Sequence, residues 1–275
     1  MREITSATNP FVKHLRALVA SKKARQESNR FIIEGWRGID TLLNHKSRQY
    51  TLETLVISPE WQNRNEINRL AGTAVAAVQG GLGTARPTPL EVIILPDHVL
   101  EKVSDVKNAQ GILGVVQYTP QPFAVADTGK FLLLDNLRDP GNLGTLIRSV
   151  VGSGFDGILL YGDCVEPYNP KVVRSTMGTF AFCNLWQVGE AEIAQLQDAG
   201  FELCVTTGMG GQNLYDTQFG DKTILAIGSE AHGVSDALMQ QATKKVTIPL
   251  QPECESLNAA IAGSICMFQI AQSMK

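Results

Sequence analysis

The sequence predicts an α/β protein: a C-terminal, mainly parallel sheet with helices on both faces, preceded by a small α/β domain. From residue 131 onward, short continuous apolar runs alternate with helix-like stretches, as in a parallel sheet buried on both faces. Residues 119–130 contain two prolines and no clear periodicity, which favours a linker. The charge also changes, from a net +4 over residues 1–120 to −7 over the remainder. We therefore predict domains at 1–120 and 131–275, joined by a linker at 121–130.

The first predicted element is a helix over residues 11–26. A lead rich in Ser, Thr and Asn precedes it, and its apolar residues recur at helical spacing. Its opposite face is basic, and the first fifty residues carry a net charge of +6. Such a face could neutralise the phosphates of a nucleic acid, although a solvated helix face accounts for a charge run equally simply. The candidate contacts are Lys13, Arg16, Lys22, Lys23, Arg25 and Arg30.

The rest of the first domain alternates between strand and helix patterns. Gly- and Pro-rich text marks a loop at 80–89. The predicted helices cover 36–44 and 65–72. The predicted strands cover 31–35, 52–58, 92–96 and 111–118.

The second domain contains five apolar runs of strand length. Helical stretches separate them, including one at 143–151 that carries Arg148 and an apolar one at 256–272. Ligands of such sheets bind at the carboxyl ends of the strands. The predicted strands are 131–135, 157–162, 201–207, 222–228 and 245–250.

Several protein classes are disfavoured. No apolar stretch is long enough for a membrane helix, and the N-terminus lacks the features of a secretory signal. Five widely spaced cysteines fit buried thiols in a reducing cytoplasm better than disulfides or zinc. The four histidines show no metal-ligand spacing, so we expect no metal. The stretch 152–157 matches the dinucleotide fingerprint, but it follows a helix and precedes a strand, the reverse of the required order.

Polar side chains follow three of the strands. The first runs into Asp135 and then a Gly/Pro-rich loop before the helix that carries Arg148. Gly228 ends another strand and is followed by Glu230. The last strand leads to Ser256-Leu257-Asn258, which opens the apolar helix. Each segment alone has an ordinary explanation: a chain turn, a solvated carboxylate, or a helix N-cap at Ser256.

Together these segments resemble the SpoU/TrmH branch of the SPOUT RNA methyltransferases. The first motif reads Asp139-Pro140-Gly141-Asn142-Leu143-Gly144, followed by Arg148. The second reads Gly228-Ser229-Glu230-Ala231-His232-Gly233, and the third pairs Ile248-Pro249 with Ser256-Leu257-Asn258. The N-terminal Ser-Ala-Thr-Asn-Pro lead and FIIEGWR are similar to the small RNA-binding domain that many members carry.

The resemblance implies methyl transfer from S-adenosylmethionine to a ribose 2′-hydroxyl of RNA, in a homodimer with a C-terminal trefoil knot and an interface helix at 256–272. It implies that Arg148 contacts the reacting hydroxyl, that Asn142 holds the arginine or the ribose, and that Glu230 orients Arg148 or Asn258. Ser256 and Asn258 would hold the ribose or the carboxylate end of the cofactor. The cofactor contacts implied are Gly228, Ile248, Leu257 and Thr206.

Two alternatives stay open at this point. The chain could be a non-catalytic RNA-binding protein of the same fold, or a SPOUT relative that methylates a base. Base methyltransferases of the SPOUT class lack the Asn-x-Gly-x-x-x-Arg and Ser-Leu-Asn arrangements found here, and all five polar motif residues are present. Ribosomal RNA and tRNA are both possible substrates, and the additional N-terminal domain favours ribosomal RNA.

Overall fold

The computed structural model describes residues 1–45, 49–65, 67, 90–106, 109–125 and 127–273. The chain divides into two compact units. The first unit comprises Met1–Pro120 together with Tyr168–Arg174, and the second comprises Gln121–Pro167 and Ser175–Lys275. The sequence analysis did not predict that 168–174 would belong to the first unit. Among the described residues, no helix has the length and apolar character that crossing a membrane requires.

The first unit contains a five-stranded sheet in the order β1-β4-β3-β5-β2. Strand β5 pairs antiparallel with both β2 and β3, whereas β4 pairs parallel with β3 and β1. Its helices are α1 (Pro10–Ala20), α2 (Lys22–Ser28), α3 (Trp36–Asn44) and α4 (Asp97–Leu100). The strands are β1 (Arg2–Glu3), β2 (Arg30–Glu34), β3 (Tyr50–Ile57), β4 (Glu91–Ile94) and β5 (Ile112–Tyr118).

The four predicted strands of the first domain are present as β2 to β5, with ends that differ by one or two residues. Strand β1 was not predicted, since two exposed charged residues carry no apolar pattern. The predicted helix at 36–44 is confirmed as α3. The predicted helix at 65–72, apart from Asn65 and Ile67, and the predicted loop at 80–89 lie outside the described residues.

The predicted single helix at 11–26 is wrong, because the chain forms two helices that meet at Ser21. Ser21 has an extended backbone (φ −125°, ψ 118°), and its side chain accepts a hydrogen bond from Ala24 N to cap α2. Helix α1 buries Val12, Leu15 and Leu18 against the sheet. Because helical periodicity restarts at Ser21, residues after it do not continue the face seen in α1.

The second unit contains a seven-stranded parallel sheet in the order β10-β12-β9-β11-β6-β7-β8. The predicted parallel sheet is therefore confirmed. The five predicted strands correspond to β6, β7, β9, β11 and β12. The strands are β6 (Gly129–Asp135), β7 (Gly157–Tyr161), β8 (Asn184–Val188), β9 (Glu202–Thr206), β10 (Gln212–Asn213), β11 (Lys222–Ile227) and β12 (Lys244–Thr247).

Strands β8 and β10 lie at the two edges of this sheet and were not predicted. An edge strand does not need the continuous apolar run that marks a central one, and β8 contains only one fully buried residue, Val188. Its Trp186 packs edge-to-face against Phe131 and Phe123. The remaining helices are α5 (Pro140–Ser153), α6 (Pro170–Ser175), α7 (Glu190–Asp198), α8 (Asp236–Gln241) and α9 (Ala259–Gln272), of which α6 lies almost entirely in the first unit.

Helices α5 and α9 pack closely against each other. The Ser149 and Ser264 hydroxyls are 2.7 Å apart in a hydrogen bond between the two helices. A Cβ atom at Gly263 would lie 2.7 Å from Leu146 Cδ2, so glycine at this position permits the close approach. This packing brings together the N-terminal ends of α5 and α9, which carry two of the predicted motifs.

Candidate active site

Asn142 is positioned by the first turn of α5. Asp139 caps this helix by accepting a hydrogen bond from Asn142 N at 2.8 Å, and Pro140 occupies the first turn, where no backbone donor is needed. The Asn142 side chain is 9% exposed. The Gly/Pro-rich loop after β6 therefore sets the start of a helix and directs an amide side chain toward the sheet edge.

A hydrogen-bonded chain joins one residue from each predicted motif. Asn258 Nδ2 donates to Asn142 Oδ1 at 2.9 Å, and Asn142 Nδ2 donates to Glu230 Oε1 at 2.7 Å. Asn258 Oδ1 accepts from the backbone nitrogens of Ala260 and Ile261. These donors lie at the N-terminus of α9, so the amides are aligned with the positive end of a helix dipole and deliver a donor to the carboxylate.

This geometry differs from one expected contact and from the expected start of α9. Glu230 bonds to Asn142 and not directly to Arg148 or Asn258. The N-cap of α9 is Asn258 (φ −52°, ψ 140°), not Ser256, so Asn258 precedes the helix and does not lie inside its first turn. Ser256, two residues before Asn258, is exposed and lines a cavity.

Glu230 lies in a tight turn that follows β11. Ser229 and Gly233 exchange two backbone hydrogen bonds of 3.0 and 2.9 Å, which closes the turn. A Cβ atom at Gly228 would lie 1.8 Å from Gly233 C, so a larger residue at 228 would require the backbone to move. Glycine at this position therefore permits the close approach of the backbone at Gly233.

A cavity of about 240 Å³ lies at the carboxyl ends of β9, β11 and β12. Its walls include all four predicted cofactor residues and two of the predicted catalytic ones. Sequence analysis missed Thr207, Gly208, Val246, Leu250 and Glu255, which also line it; the parallel pairing of β9 with β12 supplies several of them. Lining residues that were predicted are Thr206, Gly228, Glu230, Ile248, Ser256 and Leu257.

Thr206 has a structural role at this cavity. Its hydroxyl donates to the Ala226 carbonyl at 3.0 Å and so ties β9 to β11. The remaining walls combine apolar side chains with backbone groups, as at Gly228. An adenosine-containing ligand needs such apolar walls and few polar contacts. These apolar walls and backbone groups therefore fit the cofactor implied by the sequence resemblance.

Arg148 is not part of this cluster within a single chain. It is exposed on α5, and no hydrogen bond or ion pair joins it to another described residue. It follows Asn142 by six residues, which corresponds to about 9 Å along a helix and about 120° around it. Arg148 therefore does not meet Glu230 or Asn258 within one chain, and its expected contact with the reacting hydroxyl stays a prediction.

Arg25 and Arg30 serve the structure of the first unit, in contrast to the predicted role in nucleic-acid binding. Arg25 is 3% exposed, and its guanidinium donates to the carbonyls of Leu18 and Val19. Arg30 makes two hydrogen bonds to the Glu53 carboxylate, at 2.6 and 3.0 Å. The other four candidates, Lys13, Arg16, Lys22 and Lys23, are exposed.

Comparison with known proteins identifies both parts of the chain. The SpoU rRNA Methylase family model matches residues 129–268, and the MRM3-like substrate binding domain matches residues 9–114. An uncharacterized tRNA/rRNA methyltransferase of Synechocystis is 30% identical over 97% of this chain and 92% of that protein. The 23S rRNA (guanosine(2553)-2′-O)-methyltransferase RlmP of Bacillus subtilis is 25% identical over 98% and 99% of the two chains.

The fold agrees with this relationship. The AdoMet-bound rRNA methyltransferase from Sinorhizobium meliloti superimposes with a TM-score of 0.83 at 28% identity, covering 99% of this chain and 98% of that one. The predicted fold class is thereby confirmed. One family model spans half of the chain, and the three motifs within it meet at one site. This chain belongs to the SpoU rRNA methylase family.

Proposed function

We propose that this chain, an RNA methyltransferase of the SpoU family, transfers the methyl group of S-adenosylmethionine to a ribose 2′-hydroxyl of ribosomal RNA. The observation that carries the proposal is the hydrogen-bonded chain from Asn258 through Asn142 to Glu230 at the edge of the cavity. It holds a carboxylate and two amides beside a site for a nucleoside cofactor. The 23S rRNA specificity in the name of the Bacillus relative supports a ribosomal substrate.

The cofactor supplies an electrophilic methyl group, so the protein needs only to align a hydroxyl with it and stabilise the charge that develops. The backbone at Gly228 and the side chains of Ile248 and Leu257 would hold the adenosine. Thr206 completes this part of the cavity lining. Ser256 also lines this cavity and Asn258 follows it by two residues, so they can bind the ribose of the RNA or the carboxylate of the cofactor.

Glu230 and Arg148 would act on the acceptor hydroxyl from two sides. Glu230 has one carboxylate oxygen bonded to Asn142, and the carboxylate can accept a hydrogen bond from a hydroxyl. Arg148 is a poor choice of base, because a guanidinium gives up its proton only with great difficulty. Its proposed role is to stabilise the developing alkoxide, as a fixed positive charge does in other active sites.

We propose that Arg148 reaches the site of a second copy in a homodimer. Ile261 and Phe268 of α9 are 52% and 45% exposed, and they lie on the helix that packs against α5, which carries Arg148. An apolar helix face of this kind suits an interface between identical chains.

Mixing two inactive variants tests this arrangement. A protein with Arg148→Ala and one with Glu230→Gln should each be inactive alone. After dissociation and reassembly in equal amounts, half of the dimers would be mixed, each with one intact site, so about a quarter of wild-type activity should return. No recovery, with mixed dimers verified by mass spectrometry, would show that both residues act within one chain.

We also propose that the segment between β12 and α9 is threaded into a trefoil knot, as the sequence resemblance implies. The strand order supports this, since β11 inserts between β9 and β6, after which the chain crosses to the far side of β9 and returns as α9 to α5. A crystal structure traced through residues 228–258 would test it, and an unthreaded path would contradict it.

The function is tested most directly by mapping RNA. Mass spectrometry of ribosomal RNA from cells with and without the gene should reveal one 2′-O-methyl nucleotide that disappears on deletion and returns with the wild-type gene. A lost methyl group on a base, or on tRNA alone, would overturn the proposal.

Calorimetry should detect binding of S-adenosylhomocysteine to the purified protein. Because ribosomal RNA is the proposed substrate, we expect the protein in the cytoplasm.

A further inference from the structure

A second cavity, of about 400 Å³, lies beside the proposed cofactor cavity. Both cavities include Ser229, Glu230 and Gly233 in their walls, so the closed turn after β11 borders both spaces. Glu230 therefore faces both spaces. A group bound in the second cavity would meet the same carboxylate that borders the first.

The floor of the second cavity is held rigidly. Asp135, 1% exposed, accepts hydrogen bonds from Asn136 Nδ2 and from Ser235 N, both at 2.7 Å, so each carboxylate oxygen has a partner. Asn136 has a left-handed backbone (φ 55°), and its Oδ1 accepts from Asp163 N at 2.8 Å. These bonds occupy the Asp135 carboxylate and leave the recognition of a ligand to the rim.

The rim carries groups that suit a phosphate. The Arg138 side chain is 72% exposed and contacts only the equally exposed Asp163, at 3.1 Å, among the ion pairs of the described residues. His232 is also exposed at the rim, and the Ser235 hydroxyl is buried in the wall with no hydrogen-bond partner among the described residues. A guanidinium binds phosphate through two parallel hydrogen bonds. The cavity thus offers a cation at its rim and a hydroxyl acceptor, Glu230, at the wall shared with the cofactor.

We infer that the second cavity binds the nucleotide that receives the methyl group, with its phosphate on Arg138 and its ribose toward Glu230. A ribose phosphate carries the two groups that this cavity separates, an anion and a hydroxyl. The inference rests on the proposed function and adds to it a site for the acceptor and a residue, Arg138, that positions it.

Steady-state kinetics on ribosomal RNA from a strain lacking the gene test the role of Arg138. Arg138→Ala should raise KM for RNA by about tenfold, the loss expected for one charge-assisted contact, and change kcat less than twofold. Asp163→Asn should lower KM, since it removes the carboxylate that competes for the guanidinium. Lys245→Ala, which removes an exposed cation outside both cavities, should leave KM unchanged. An unchanged KM in Arg138→Ala overturns the inference.

His232 provides a readout that does not depend on activity. It is the only histidine of the second unit, so its ring signal can be assigned in the proton NMR spectrum of the full chain by comparison with His232→Gln. Millimolar uridine or guanosine 5′-monophosphate should shift this signal and leave the other three in place. The shift should be lost in Arg138→Ala. A wild-type His232 signal that does not move overturns the inference.

Failure of this inference can be told apart from failure of the proposed function. If the wild type methylates ribosomal RNA but Arg138→Ala has normal KM, only the acceptor site is wrong. If the wild type methylates no ribosomal RNA, the proposed function is wrong. If Arg138→Ala weakens S-adenosylhomocysteine binding in calorimetry as much as it raises KM, Arg138 supports the cofactor cavity and not the acceptor site.

Discussion

Asn142 is the residue on which the geometry of the site depends. Its amide accepts from Asn258 and donates to Glu230, so it must present both an oxygen and an NH₂ group. An aspartate would accept from Asn258 as well but would place a second negative charge against Glu230. Only an amide satisfies both neighbours.

We therefore predict that Asn142→Ala lowers kcat for RNA methylation by about 100-fold, the range expected when a group that positions acid–base chemistry is lost. Asn142→Asp should lower it further, because like charges repel. Calorimetry should show little change in S-adenosylhomocysteine affinity for either variant. Thr145→Ala, at an exposed position of the same helix, should behave as wild type. Equal kcat in Asn142→Ala and wild type would contradict the prediction.

The residues of this cluster could be predicted from the sequence, but their contacts could not. Motif order indicated Asn142, Glu230 and Asn258, because polar side chains after parallel strands meet at one sheet edge. Which of them would touch depended on the exact start of α9. The N-cap is Asn258 and not Ser256, so the Asn258 amide caps the helix as well as facing the site. Arg148 was associated with them by the family motif, and helical geometry separates it.

The five cysteines differ in how readily their thiols should react. Burial raises the pKa of Cys183, Cys204 and Cys266 to about 12, and raises that of Cys164 as well. Cys254 alone is exposed. At pH 8 the native protein should react rapidly with Ellman's reagent at one thiol, and Cys254→Ser should abolish that phase. All five should react in denaturant. Two or more rapid thiols in Cys254→Ser would show that the core opens more readily than the structure indicates.

At the level of elements, the junction of α1 and α2 explains why Arg25 is buried. The last carbonyls of a helix have no partner within it, and Arg25 donates to two carbonyls of the α1 C-terminal half, Leu18 and Val19. The basic spacing predicted one continuous face. The chain instead turns at Ser21, and the turn redirects Arg25 inward while Lys22 and Lys23 stay exposed. No periodicity could reveal this, because Ser is tolerated inside helices as well as at caps.

Arg25→Met should lower the free energy of unfolding by about 3 kcal/mol, since it keeps the aliphatic stem but leaves two carbonyls without their charged donor. Urea unfolding would measure it. RNA affinity under native conditions should stay within twofold of wild type. The matched variant Lys23→Met should leave stability within about 0.5 kcal/mol, because its pair with Glu27 is exposed. A loss of RNA affinity of more than twofold in Arg25→Met under native conditions would restore the predicted phosphate contact of Arg25.

At the level of the whole molecule, the uneven distribution of charge predicts how RNA binding responds to salt. The chain carries a net charge of −3, yet its first 120 residues carry +4. A protein that neutralises phosphates releases condensed cations, so its affinity falls as salt rises. We propose that the exposed cations of α1 and α2, namely Lys13, Arg16, Lys22 and Lys23, contribute to this term.

Replacing these four residues by Gln should reduce the slope of log affinity against log salt by about 0.7 per lost phosphate contact, or about 3 if all four bind. Filter binding to ribosomal RNA across a salt series would measure the slope, with Lys245→Gln as the matched control on the second unit. An unchanged slope would assign these four residues to a solvated helix face.

How far the fold of the whole molecule could be predicted depended on where each segment lies in its sheet or unit. Central strands such as β6 and β11 are marked by continuous apolar residues, and their parallel pairing follows from alternation with helices. Edge strands such as β8 carry no such signal. No sequence signal marks a segment that joins a distant unit either. Residues 168–174 belong to the first unit only through contacts, such as the stacking of Tyr168 on Tyr118 at 4.0 Å.

That segment has a consequence for the synthesis of the protein. A nascent chain leaves the ribosome from its N-terminus, and domains usually mature in that order. Here the ring partner of Tyr118 and the guanidinium that pairs with Asp105 come from residues 168 and 174. The N-terminal unit thus cannot acquire its full set of contacts until the first strands of the following unit have been translated, so its maturation must wait for part of its successor.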